Sequence, residues 1–205
     1  MTLLPDPGAE PTVHTRQLLS ERQSATVAEL IDAGVDELRE RGYEQLSLRA
    51  VAARAGVTHT TAYAYFTSKA HLVAAIYWRR LQAMPRPAEG GGDSLDSRIR
   101  HALEGPALIL SDEPELAQAA LAALLTSDRE VARLRDMIGA DLGERVVLAV
   151  GPDADPHLAD AILLAFSGAM LQAGMGYFDF SEVVRRMHTV AGLLTDRPTT
   201  RAPKR

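Results

Sequence analysis

Thr58, His59, Thr60 and Thr61 form an unbroken run of short polar side chains directly after Ala55-Gly56-Val57. A threonine hydroxyl both donates and accepts, and an imidazole adds a donor or an acceptor. Displayed on the first turn of a helix, such groups suit the reading of base edges in a DNA major groove, where threonine bonds polar edges or touches thymine methyls. For His59 the alternative is an incidental surface position. Ser47, Arg49 and Lys69 flank this run with a hydroxyl, a guanidinium and an ammonium. Ser47 and Lys69 each stand where a helical pattern opens, and the orphan N–H groups and dipole of such an end favour a phosphate. Arg49, one turn in, can add a contact.

These groups need elements to hold them. From about Leu19 to Arg41 the series Val27, Leu30, Ile31, Val35 and Leu38 follows helical spacing, and Gly42 supplies a stop. Ser47 then precedes Leu48, Val51 and Ala52, with Gly56 closing the pattern, so a short second helix has a hydroxyl cap and a glycine end. Thr58 repeats the capping signal. The third helix, about His59 to Phe66, is too short to stand alone and must pack on its neighbours. Ser68 caps a fourth helix running to about Met84. Two short helices across a glycine turn, backed by longer ones, match a helix-turn-helix whose second short helix enters the major groove.

Pro85, Pro87 and Gly90-Gly91-Gly92 then break the composition and mark a linker over 85–94. Further helical patterns run at about Leu95 to Ser111, Pro114 to Thr126, Asp128 to Val150, Pro156 to Met175 and Ser181 to Thr195, and nothing alternates as a strand would. Pro106 deletes a backbone donor and predicts a kink near Gly105. Residues 1–17 and 198–205 lack apolar periodicity and read as a flexible arm and tail. The chain is therefore expected to be all-α, with about nine helices. A DNA-binding unit spans 18–84 and a second helical unit spans 95–197.

A net charge of −5 argues on its face against nucleic acid, because phosphate affinity needs local positive charge. The average misleads. Residues 45–84 hold Arg49, Arg54, Lys69, Arg79 and Arg80 with no acid, so this segment is +5 and the remainder −10. With no cysteine, thiolate metal sites, thiol nucleophiles and disulfides are excluded. The histidines, His14, His59, His71, His101, His157 and His188, include no i, i+4 pair for a helical metal site. Neither a phosphate loop nor a G-x-S-x-G occurs, since Ser167-Gly168 lacks the preceding glycine. No enzyme and no cofactor are expected. The N-terminus has no leader pattern, and no apolar run approaches the roughly 18 to 20 residues a bilayer needs. A soluble cytoplasmic protein without a membrane partner is expected.

The stretch Gly42-Tyr43, Leu46 to Ala52, Ala55-Gly56-Val57-Thr58, Thr61, Tyr63, Tyr65-Phe66, Ser68-Lys69 and Leu72 resembles the DNA-binding signature of TetR-family regulators. The likeness covers about Val27 to Ala75. It implies an all-helical homodimer whose remaining helices form a ligand-binding and dimerisation domain. Position by position, Ser47, Tyr63, Tyr65 and Lys69 resemble the family's phosphate contacts, and Thr58 to Thr61 its base-reading stretch. Packing is the alternative for the tyrosines, because residues two apart on a helix face different ways. Thr60 stands where glycine is common and Ala62 where leucine usually packs, so operator sequence does not carry over.

For the second unit the resemblance implies a bacterial repressor that binds a palindromic double-stranded operator and is released by a small molecule. The apolar residues Leu108, Leu121, Leu125, Met137, Phe166 and Met170 are candidate lining for a hydrophobic effector, with core packing as the alternative. His101 and Glu104, beside the expected kink, are candidate polar lining. Ala161, Ala165, Gly168, Ala169, Gly174 and Gly192 allow close helix approach, and the resemblance places the last two long helices in the dimer interface.

Overall fold

The computed structural model describes residues 11–87, 94–109, 111 and 113–195, and among them all regular structure is α-helical. In chain order the helices are α1 (Pro11–Gln45), α2 (Leu48–Arg54), α3 (His59–Tyr65), α4 (Lys69–Gln82), α5 (Leu95–Leu108), α6 (Pro114–Leu124), α7 (Arg129–Val150), α8 (Pro156–Gly174) and α9 (Phe180–Thr195). Residues 1–10 of the expected arm, 88–93 of the linker and the tail over 198–205 lie outside the described residues.

The helix starts follow from side-chain oxygens that satisfy orphan amides. Ser47 Oγ accepts from Ala50 N at 3.2 Å, Thr58 Oγ1 from Thr61 N at 3.1 Å, and Ser68 Oγ from His71 N at 3.0 Å. Asp128 Oδ1 accepts from Glu130 N at 2.8 Å and Val131 N at 3.3 Å at the head of α7. Each such cap is worth about 1 kcal/mol. Gly42 (φ 72°) and Gly56 (φ 69°) occupy left-handed backbone that a Cβ disfavours, and they end the long run of α1 and turn α2 into α3.

Two expectations are corrected. α1 begins at Pro11, so 11–17 belongs to a helix rather than an arm; proline's fixed φ suits a first helical position, and a helix already nucleated extends cheaply. α5 ends at Leu108 rather than at about Ser111, and it carries Pro106 within it, buried in the core. Gly105 there lies against Met84, whose Sδ would stand 3.1 Å from a Cβ at that position.

α4 joins the two halves, together with the packing of α1 on α6. Leu72, Val73, Ala74, Ile76, Tyr77 and Leu81 are all buried, because the helix packs on α1 along one side and on α6 and α7 along others. α5 is packed between α7 and α9, and α9 lies along α8. α8 differs from the sequence expectation: His157–Gly174 has mean hydropathy 1.2, long and apolar enough to cross a membrane by length and composition, with 28% of that window buried. It packs on α7 and α9 and leaves Leu164, Leu171 and Met175 exposed.

Candidate nucleic-acid interface and effector cavity

α3 is anchored by one small residue and presents the rest. Ala62 is 0% exposed, and the following Phe66 is also in the core, so the opposite face of the helix must look outward. His59, Thr60, Tyr63 and Ala64 are exposed, with Tyr63 at 55%. Thr58 and Thr61 are committed locally: Thr58 Oγ1 caps the helix and lies 2.9 Å from Thr61 Oγ1. Tyr65 is half-buried and packs on the core. The free polar surface of α3 is therefore His59, Thr60 and Tyr63, a narrower set than the sequence run.

Charge around α3 is redistributed by the fold. Arg54 bonds Glu37 at 2.8 Å and also reaches Glu40, Arg79 lies 2.5 Å from Asp32, and Arg80 lies 2.7 Å from Glu113. Glu37 is itself buried, and Arg41 lies 3.2 Å from its second oxygen. Lys69 Nζ donates to the Tyr43 and Glu44 carbonyls at 2.9 and 3.2 Å and sits 4.4 Å above the Tyr43 ring. Those bonds hold the turn after Gly42 and leave a third ammonium donor. Arg49 is exposed and has no acid partner among the described residues. Ser47 is exposed at the head of α2, where its hydroxyl caps Ala50.

Behind this head, a cavity of about 220 Å³ opens between α4, α6, α7 and α8. Its lining includes Tyr77 of α4, Leu121 and Leu124 of α6, Ile138 and Leu142 of α7, and Phe166 and Met170 of α8. Gly174 of α8 is required there, since a Cβ at that position would fall 2.0 Å from Leu121 Cδ2. Of the candidate lining residues, Leu121, Phe166 and Met170 are brought together. Leu125 and Met137 are exposed, Leu108 is half-buried elsewhere, and His101 and Glu104 both engage Arg100 on α5. The cavity lies away from Pro106, so the proline was a poor guide to its place.

The sequence reading did not pick out Tyr77, Arg135, Asp141 or Arg145. Burial pushes the Tyr77 phenol up to about 12, with Arg145 pulling it back and Asp141 raising it further. The phenol stays protonated at neutral pH. Arg145, buried on α7, donates to the carbonyls of Leu81 (3.1 Å) and Pro85 (2.8 Å), and so fastens the C-terminal end of α4 beside the cavity. At the other end of α4, the Ser68 hydroxyl donates to Asp128 at 2.6 Å, tying the head of α4 to the head of α7. That bond, opposed by some desolvation, holds the Asp128 carboxyl below its usual range. The spacing of Asp141 and Arg145 was legible as an i, i+4 pair, but their burial was not.

The family profile described as "Bacterial regulatory proteins, tetR family" matches residues 30–76. An uncharacterised HTH-type transcriptional regulator of Mycobacterium tuberculosis is 40% identical over 177 residues, 85% of this chain and 83% of that one. The HTH-type transcriptional repressor KstR of Rhodococcus jostii is 31% identical over 160 residues, 72% of this chain and 70% of the relative. Among solved structures, a TetR transcriptional regulator from Rhodococcus sp. superposes with a TM-score of 0.71 at 20% identity, covering 85% of this chain and 97% of that one. Thermus thermophilus FadR, a TetR-family repressor in complex with lauroyl-CoA, superposes with a TM-score of 0.59 at 16% identity, covering 87% and 100%. With the helix-turn-helix and the helical body both in place, this chain belongs to the TetR family of bacterial transcriptional regulators and is not an enzyme.

Proposed function

We propose that this protein is a homodimeric repressor that binds a near-palindromic operator and is released when a small molecule enters the cavity between α4, α6, α7 and α8. The observation that carries the reading is the double role of α4. It starts at Ser68, directly after the exposed recognition helix, and lines the cavity with Tyr77. Residues 18–84 are then the DNA-binding unit, 95–197 the ligand and dimer unit, and 85–94 their connection. His59, Thr60 and Tyr63 meet base edges or adjacent backbone, with Thr58 and Thr61 ordering the turn, while Ser47, Arg49, Tyr65 and Lys69 serve the phosphates. The repressor name of KstR and the lauroyl-CoA bound to FadR support repression and a small-molecule effector.

Dimerisation rests on the apolar stripe of α8. Leu164, Gly168, Leu171 and Met175 fall at i, i+4, i+7 and i+11, and Leu164 is 77% exposed. Leu193 of α9 is also exposed, at 72%. An isologous contact between two copies covers such a stripe and places two recognition helices for successive major grooves. An effector lowers operator affinity only through better binding to the state that cannot grip DNA, and couplings of about 1 to 3 kcal/mol are typical.

Selection of binding sites from random-sequence duplexes tests this reading. The expected result is an enriched inverted repeat, with relaxed base preference in Thr60→Ala at a cost of about 1 to 3 kcal/mol in discrimination. Absence of any enriched sequence, with no binding even at low salt, overturns it.

A further inference from the structure

The cavity has a chemical asymmetry. Its walls are the side chains of Leu121, Leu124, Ile138, Leu142, Phe166 and Met170, yet Arg135 also lines it. Most arginines here face acids. On α7 itself, Arg133 lies 2.8 Å from Glu130 and Arg145 lies 2.6 Å from Asp141. Arg135 has no carboxylate partner among the described residues, and its single hydrogen bond is a long one, 3.5 Å to the Thr126 carbonyl. The positions one turn away on α7, Val131, Ala132, Ile138 and Gly139, carry no acid. Gly139 faces open space, with nothing within 4 Å of a Cβ placed there, so the guanidinium's side of the cavity mouth is uncovered.

We infer that the effector is an amphipathic anion, an apolar chain or ring system bearing a carboxylate or comparable acid group that pairs with Arg135. This rests on the reading of the cavity as the effector site. No lining residue is an acid, so a cationic ligand has no counter-charge. A guanidinium offers only donors, arranged as a planar fork that fits a carboxylate. Tyr77 is the polar group at the α4 wall; no group among the described residues bonds its phenol, which remains a donor. The volume, about 220 Å³, lies below the roughly 300 to 1,000 Å³ common for ligand sites, which favours a short apolar body.

Isothermal titration of the full-length protein with decanoate and 1-decanol tests the inference, using wild type, Arg135→Gln and Gly139→Leu. Arg135 and Gly139 are both exposed, and a Cβ at position 139 meets nothing within 4 Å, so both variants should fold as the wild type does. Decanoate is expected to bind wild type about tenfold more tightly than decanol. Arg135→Gln should erase that preference and leave decanol unchanged, and Gly139→Leu, which obstructs the mouth, should weaken both. Equal affinity for the two probes in wild type, with both weakened by Gly139→Leu, overturns the anion while keeping the cavity as a ligand site. No binding of either probe, or binding untouched by Gly139→Leu, overturns the inference together with the cavity as their site. Operator selection, which needs no ligand, is unaffected by any of these results.

Discussion

The Arg145 guanidinium lies 2.6 Å from the Asp141 carboxylate with both side chains 2% exposed, and the pair locks the end of α4 onto α7. A buried ion pair is tolerable when its remaining hydrogen-bonding capacity is filled. Here Arg145 spends its other N–H groups on the carbonyls of Leu81 and Pro85, while Asp141 Oδ1 accepts from Gln82 at 3.1 Å and Arg86 at 2.8 Å. Arg86 also reaches Glu144. α4, which follows α3, therefore ends in a charged clamp beside the cavity between α4, α6, α7 and α8.

Breaking one member of that pair should be worse than removing both. Arg145→Met leaves Asp141 Oδ2 without its partner while Oδ1 keeps Gln82 and Arg86, so the cost in urea unfolding is expected at the lower end of about 3 to 5 kcal/mol, with Asp141→Leu/Arg145→Met recovering part of it. A double variant no more stable than the single one would refute the clamp as an electrostatic unit.

Arg49 and Lys69 should separate in their effects although both are basic. Arg49→Ala is expected to leave stability within about 0.5 kcal/mol and to weaken operator binding uniformly, with the salt slope reduced by about one. Lys69→Ala should do both kinds of damage, because its ammonium also holds the Tyr43 and Glu44 carbonyls; about 1 to 2 kcal/mol of stability is expected to go with it. Thermal melts alongside salt-dependent binding distinguish them. Identical stability for the two variants contradicts this division.

Acid should loosen the start of α4 through His71. Its Nδ1 accepts from Thr67 N at 3.2 Å, and its ring meets Phe66 edge-on. Burial lowers its pKa below the ordinary 6.5, against the opposing pull of Asp128 and Glu130. A histidine harder to protonate when folded takes up its proton first in the unfolded chain, so stability rises with pH between the folded and unfolded values. The contribution is complete above about 6.5 and is lost as pH falls through the depressed folded pKa. Melting temperatures of wild type and His71→Gln should thus converge as pH falls from about 6.5 to the depressed folded value, and keep a fixed separation below it. A constant gap from pH 7 downward argues against the assignment.

The stripe on α8 predicts a monomer on charge insertion. Leu164 is 77% and Leu193 72% exposed, so glutamates there leave the protomer core intact. Leu164→Glu/Leu193→Glu should halve the mass seen by sedimentation velocity and sharply weaken binding to a two-half-site operator. An unchanged mass removes α8 and α9 from the interface.

Sequence by itself determined the helices, because apolar spacing and caps are local. Ser47, Thr58 and Ser68 stand where the chain's hydroxyls can reach amides three residues on, and Gly56 stands where the backbone must turn left-handed. The short α3 was legible for the same reason. What tertiary structure decided is which charges remain available and where empty space lies. The acid-free segment from 45 to 84 reads as +5, yet acids from α1 and the residue before α6 claim Arg54, Arg79 and Arg80, while Arg49 keeps no acid partner among the described residues and Lys69 bonds only carbonyls. The cavity formed where α4, α6, α7 and α8 meet around Gly174 and Leu121, not at Pro106, since an opening depends on how distant helices pack and not on the irregularity of one. Partner acids and packing gaps are set by residues far apart in the chain, and no local pattern encodes them.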